Sequence, residues 1–505
     1  MRVKRSLLNL FFGLGSQLIV IGLSVFIPRL ILVKYSSEIN GLTASITQII
    51  SYLTLLEAGV GTASVQALYK PIARDDKERI NSIMAATSYY YKKTGGFYFI
   101  AVLLISVTYP FIINTEMSTL SIMTIVFLTS VGGAINYFFQ GKYKILLMAE
   151  GKSYIETSII TILNIITSII RIILLLQNVN IIVIQSSYFI MSVFQIIIFY
   201  LYIKKNYTWL NLRIEPNFKA ISQRNSVMIH ELSYLVFRNT DILILMIFTS
   251  LKVVSVYVMY NLFFSLIDNI VQTVNGSVKF IFGQVFHENK KNFLILYDTY
   301  EVFFMGFVFS ILTVSYILIL PFMQLYTSGV DDINYIDYKL AILFVIVKIL
   351  TNARIPSNNI IQITGHFKNT QNRSILESGL NLFISLIFVK YLGLYGVLLG
   401  TIVAMLYRSV DMVFYSNMVL LKRSPWLTLR RWLINLLIFL NITVISQHIN
   451  YNITAYLDLI WHGITLILII LPLYFLINLF FEKKVSLYSY SLLKSFVRKE
   501  GYLRN

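Results

Sequence analysis

The sequence predicts an all-α integral membrane protein of about fourteen transmembrane helices, and three observations carry the prediction. Apolar side chains make up 57% of the 505 residues and charged ones only 13%, a balance too apolar for a water-soluble chain of ordinary composition. Apolar stretches long enough to cross roughly 30 Å of hydrocarbon recur along the whole chain. Lysine and arginine, 42 against 23 acids, gather in alternate connections between those stretches, as they do in the cytoplasmic loops of membrane proteins.

The spans fall at about 8–32, 43–69, 87–112, 119–147, 155–177, 181–203, 227–249, 254–282, 297–320, 338–364, 373–391, 395–419, 432–449 and 458–481. The first follows the basic start "MRVKRSLLNLFF". It is too long for a signal-peptide core and has no small-residue cleavage site, so it reads as a retained helix. Fourteen spans place both termini on one side. About 31 of the basic residues lie on that side against about 4 on the other (Lys34, Lys252, Lys339, Lys390), which makes both ends cytoplasmic.

The basic segments are "YKPIARDDKERI", "KKNYTWLNLRIEPNFKAISQRN", "LLKRSPWLTLRRW" and the tail with Lys483, Lys484, Lys494, Arg498, Lys499 and Arg504. They suit a surface facing anionic membrane lipids, and no nucleic-acid partner is expected. The absence of cysteine excludes disulfides, thiol chemistry and Cys-ligated metal. No phosphate-binding Gly-rich loop, paired-histidine metal helix or nucleophile elbow occurs, so neither a cofactor, a metal nor an enzyme is expected. Work across the membrane would draw on an ion gradient, the membrane potential or substrate flux.

An internal repeat is expected. "LNIITSII" from Leu163 and "LNLFISLI" from Leu380 share a Leu-Asn-x-x-x-Ser core 217 residues apart. Glu156 and Glu377 precede them, and "GKYK" and "GHFK" stand before each span. The displacement covers six spans, so the repeat is parallel. The expected organisation is an N-lobe over 1–203, a cytoplasmic linker over 204–226, a C-lobe over 227–419, two accessory helices within 420–481 and a basic tail over 482–505.

A charge at mid-bilayer costs about 2.5–3.5 kcal/mol on insertion scales, so charges within spans are paired, face an aqueous cavity, or act. Span 7, "MIHELSYLVFRNTDILIL", places His230 and Asp241 near one azimuth and Glu231 and Arg238 on a neighbouring stripe. Span 10 carries Lys348 and Asn352 one turn apart, then Arg354 and Asn358, with Pro356 predicting a kink. Arg29, Arg171, Asp268, Lys279, Glu377, Arg408 and Asp411 are further charges within spans, the last two spaced to pair with each other. Glu57, in "LLEAGVGTASVQALYKP", shares its helical face with Gly61 and Ser64 and reads either as a brace against a buried cation or as a protonatable switch.

The blocks "RLIL", "EINGL" and "LLEAGVGTASVQALYKPIA", then "FRNTDILILMIF", then "GHFKNTQNRSILESGLNLFISLIFVKYLGLYGVLLGT" cover spans 1–2, 7 and 11–12. Through them the chain resembles the Wzx-type oligosaccharide flippases, polysaccharide biosynthesis proteins of the MOP (multidrug/oligosaccharidyl-lipid/polysaccharide) exporter superfamily. The resemblance implies a MATE-like V of two six-helix lobes in the bacterial cytoplasmic membrane. It also implies alternating access, with an undecaprenyl-diphosphate-linked oligosaccharide carried to the outer leaflet for cell-surface polysaccharide synthesis. Glycosyltransferases and a polymerase are the implied partners.

Such cargo needs cations for its diphosphate and polar groups for its sugars. Arg29, Arg238 and Arg354 are the foremost candidate diphosphate contacts, with Lys348, Arg171, Lys279 and Arg408 beside them. Glu57, Asp241, His230, Glu231 and Glu377 are read as ion-coupling groups or as structural ion pairs. Two other functions compete: a cation-coupled multidrug exporter of the same superfamily, and a membrane-embedded polymerase or glycosyltransferase. The shortness of the longest outer loop, "PFMQLYTSGVDDINYID", speaks against the latter.

Overall fold

The structure is a computed structural model that describes residues 22–221 (save 24), 240–288, 290–364, 366–449, 451 and 453–502, without the side chains of 55–59, 62, 277–292, 367–368, 492–493 and 495–502. All regular structure among the described residues is helical. Eleven helices are long and apolar enough to cross a membrane. They correspond to every expected span except 8–32 and 227–249, which lie partly outside the described residues, and 43–69, where the helix is broken.

In chain order the helices are α1 (25–34), α2 (Ser37–Leu53), α3 (Leu55–Ala73), α4 (Lys77–Thr108), α5 (Thr119–Phe139), α6 (Gly141–Ala149), α7 (Ser153–Leu176), α8 (Ile181–Asn206) and α9 (240–248). There follow α10 (Leu251–Glu288), α11 (Lys290–Tyr326), α12 (Tyr338–Ala353), α13 (Ile355–Ile363), α14 (Phe367–Leu392), α15 (Leu394–Phe414), α16 (Trp426–Ser446), α17 (Tyr456–Phe481) and α18 (Lys483–Tyr502). Side chains that take up the otherwise unbonded N–H groups set several starts. Asp76 accepts from Arg79 N (3.0 Å), Asn180 from Ile182 N (2.9 Å), and Asp337 from Lys339 N (2.8 Å) and Leu340 N (3.2 Å). Gly393, at φ +54°, turns the chain from α14 into α15.

The helix order of the first half returns in the second. α4 through α8 are matched by α11 through α15, each partner starting 213 to 219 residues further on (Lys77 to Lys290, Thr119 to Tyr338). In both series a nine-residue helix follows a break, α6 after Gln140 and α13 after Arg354. The kink expected at Pro356 is thus a full interruption at Arg354, with proline in the first turn of α13, where no N–H is required of it.

The chain forms two compact units: Met1–Val256 with Gly329–Ile333, and Tyr257–Ser328 with Asn334–Asn505. The core of the first gathers Leu68, Met84, Tyr91, Leu146 and Phe199. The linker packs on it through Trp209, Leu210 and Leu212, while Asn217 N bonds Ser82 O at 3.0 Å. The start of α2 ties several connections together. Ser37 N donates to Asp332 Oδ2 (3.0 Å), Asn40 Nδ2 to Ser255 Oγ (2.7 Å), and Thr115 Oγ1 to Glu38. Ser36, just before it, holds φ 147° and ψ 168°, a region that favours glycine and costs about 1–3 kcal/mol.

In the second unit α14 and α15 approach closely, since a Cβ on Gly396 would stand 2.3 Å from Phe388 O and one on Gly400 2.2 Å from Ser385 Oγ. Asn381 and Ser385, the polar pair of the second repeat motif, bind there to Thr401 Oγ1 and Val397 O, both at 3.3 Å. In the first copy Ser168 is buried but Asn164 is exposed. Helices α16 and α17 exchange amide hydrogen bonds between Asn435 and Asn478 (3.1 and 2.9 Å). α17 fastens to α11 through Tyr474 and Thr313 (2.8 Å).

Candidate functional site

Among the described residues, the buried charges of the second unit form three groups. The first is a ladder that joins the end of α12 to α14 and α15. Pro356 and the break before α13 place Arg354 at the end of α12, where its Nη1 reaches Glu377 Oε1 at 2.5 Å. Glu377, on α14, also faces Arg408 Nε on α15 (3.5 Å). Arg408 Nη1 holds Asp411 Oδ2 (2.7 Å) and its Nη2 donates to Ser374 Oγ (3.1 Å). Asp411 is shared with Arg373, whose guanidinium stacks 4.9 Å above the Tyr415 ring. Three guanidiniums thus meet two carboxylates, and the ladder carries one surplus positive charge.

In the second group Lys348 Nζ pairs with Asp268 Oδ2 (2.7 Å) and reaches Asn261 Oδ1 (3.5 Å), and Asn352 Nδ2 donates to Asp268 Oδ1 (3.0 Å). The one-turn spacing of Lys348 and Asn352 lets both grip a single carboxylate on α10. Here the charges balance.

The third group is the most buried and escaped the sequence reading. Asp298 and Glu301, one turn apart on α11, face Arg423 and Arg431. Arg431 also holds Glu482 at the end of α17 (3.1 Å), and Glu482 takes Arg430 as well. Thr428 Oγ1 adds a bond to Glu301 (2.7 Å). Glu301 is wholly buried and Arg431 is 1% exposed. A seven-residue π-helical segment, Tyr415–Leu421, ends α15 and delivers Arg423, whose Nε bonds the Asn417 side chain. Its signal in the sequence was two acids in the first turns of an otherwise apolar span, opposite the basic loop "LLKRSPWLTLRRW".

In the first unit Arg171 is buried on the inward stripe of α7 with Leu163, Thr167, Ser168 and Leu175. Its Nη1 donates to Tyr188 Oη (2.6 Å), the guanidinium lies 4.3 Å over the Tyr188 ring, and Nε has no acceptor. Among the described residues no carboxylate pairs with it, in contrast to Lys348, Arg354 and Arg408. Arg29 is half-buried on α1 and Asp241 buried on α9. Glu57 falls in α3 and Lys279 in α10, but their side chains lie outside the described residues, as do His230, Glu231 and Arg238 altogether. Among the described residues no three His, Asp or Glu side chains converge as a metal ion requires.

This helical architecture recurs among solved structures. The chain shares it with a multidrug resistance MATE family transporter of the MOP superfamily in an inward-facing conformation, at TM-score 0.64 and 16% identity over 79% of this chain and 94% of that one. The lipid II flippase MurJ, in an inward closed conformation, matches at TM-score 0.63 and 16% identity over 91% of this chain and 98% of that one. An outward-facing MATE family transporter matches at TM-score 0.54 and 17% identity over 83% and 95%. No protein-family profile and no curated protein matches the sequence. What is shared at this identity is the fold of the MOP-superfamily transporters, a multi-pass membrane architecture.

Proposed function

We propose that the chain is a flippase that carries an undecaprenyl-diphosphate-linked oligosaccharide from the cytoplasmic to the outer leaflet of a bacterial cytoplasmic membrane by alternating access. Both termini lie in the cytoplasm in this reading, the lobes divide at the 204–226 linker, and glycosyltransferases and a polymerase act before and after it. The carrying observation is a local cationic surplus in each of two places among the described residues. Arg354, Arg373 and Arg408 meet only Glu377 and Asp411, and Arg171 meets no carboxylate among the described residues. A diphosphate supplies the missing negative charge, and guanidinium binds phosphate oxygens in pairs. Near-complete mutual coverage with MurJ is compatible with this reading.

The fold serves a cation-coupled multidrug exporter equally well. A cationic drug, however, is disfavoured beside the ladder of α14 and α15, where three guanidiniums meet two carboxylates. The test reconstitutes the purified protein in vesicles with undecaprenyl-diphosphate-linked oligosaccharides extracted from the host, and reads their exposure on the far leaflet with a membrane-impermeant glycan label. Protein-dependent exposure is expected. No exposure, together with drug sensitivity of a deletion strain, would overturn the proposal in favour of the exporter.

A further inference from the structure

Both carboxylates of the ladder are held by two guanidiniums, and at Asp411 the two differ most in exposure. The Arg373 side chain is 38% exposed, whereas that of Arg408 is 3% exposed and that of Asp411 15%. Arg373 lies one turn nearer the start of α14 than Glu377, about 6 Å along the axis. The ladder therefore runs from an accessible rung, Arg373 with Asp411, through Arg408 to Glu377 and Arg354 at the helix break. Its surplus positive charge sits within spans where hydrocarbon penalises it.

We propose that Arg373 and Arg408 form the first-contact subsite for a phosphate-class anion, and that Asp411 occupies this subsite when no ligand is bound. A carboxylate bridging two guanidiniums takes the position and hydrogen bonds that a phosphate oxygen would take. The incoming anion engages Arg373 first because it alone of the pair is exposed, and displaces Asp411 from it. Arg408, sealed behind and fixed by Ser374 and Glu377, keeps its charge directed at the same point. Competition from Asp411 limits the affinity, which a carrier that must release its load requires. The subsite deepens the proposed function by assigning the cargo's diphosphate to it.

The roles predict effects of opposite sign. Inorganic pyrophosphate, undecaprenyl diphosphate and phosphatidylglycerol are titrated onto detergent-purified wild type, Arg373→Gln, Asp411→Asn and Asp411→Glu, each first checked for a wild-type size-exclusion profile. Loss of one charge-assisted hydrogen bond weakens pyrophosphate and undecaprenyl diphosphate about tenfold in Arg373→Gln. Removing the competitor strengthens both about tenfold in Asp411→Asn, and Asp411→Glu stays near wild type. A merely structural Asp411 gives no tightening, and that result overturns the subsite. Phosphatidylglycerol following the same pattern as strongly would overturn its assignment to the cargo. If the variants behave as expected but wild type exposes no oligosaccharide in vesicles, the flippase reading fails and the subsite stands. If wild type exposes it while Asp411→Asn binds as wild type does, the subsite fails alone.

Discussion

Arg430 and Arg431 are adjacent, identical in chemistry and both bound to Glu482, yet their removal is expected to have very different consequences. The Arg430 side chain is 52% exposed, so Arg430→Ala costs less than about 1 kcal/mol, as exposed pairs do. Arg431 is 1% exposed and serves Asp298 (2.8 Å), Glu301 and Glu482 (3.1 Å) at once. Arg431→Ala leaves Glu301, wholly buried, with Arg423 at 2.9 Å and Thr428 at 2.7 Å, and the group with one uncompensated negative charge. Breaking a buried pair from one side costs about 3–5 kcal/mol. At about 2 °C per kcal/mol for a cooperative unit of this size, the melting point falls by ~6–10 °C, against ~2 °C or less for Arg430→Ala. Thermal unfolding followed by tryptophan fluorescence is a direct assay, because Trp426, Trp432 and Trp461 lie on α16 and α17. The reasoning is refuted if the two variants shift equally. A paired Glu301→Leu, Arg431→Leu change should recover part of the loss, since apolar replacement of a buried ion pair is often neutral or better.

Two other perturbations test the packing and the second charge group. A Cβ at Gly41 would stand 1.8 Å from Leu251 O, backbone against backbone, so Gly41→Ala should lower the melting point by several degrees. Gly96→Ala on α4, with nothing within 4 Å, should be neutral or stabilising by up to about 1 kcal/mol, and the reverse order in a thermal melt would contradict the contact. For Lys348 and Asp268, paired at 2.7 Å, a double-mutant cycle of Lys348→Met and Asp268→Asn in the same melts should show a coupling of about 1–2 kcal/mol, and strict additivity would exclude a meaningful pair.

Much of the helical layout was legible because hydrocarbon thickness fixes the length of a span and the chain must satisfy its backbone within helices. The interruption at Arg354 was legible because Pro356 has no N–H to give. Those at Thr54 and Gln140 were not, having no proline to mark them. Arg408 with Asp411 could be read from their three-residue spacing on one helix. Arg354 with Glu377, 23 residues apart on separate helices, could not. Arg373 with Asp411, 38 residues apart on α14 and α15, could not be read either, because only the approach of α15 brings Asp411 to it.

The sequence by itself determined that the chain is helical and membrane-spanning, that its half-patterns repeat, and that charges stand where a bilayer discourages them. These are properties of local composition and period, which need no partner to be read. Tertiary structure decided which charges are neutralised and which remain in surplus: Lys348 balanced by Asp268, Arg431 locked among three acids, and Asp411 shared between Arg373 and Arg408. Coulomb energy falls with distance, and the distances between side chains on different helices are set by packing rather than by position along the chain.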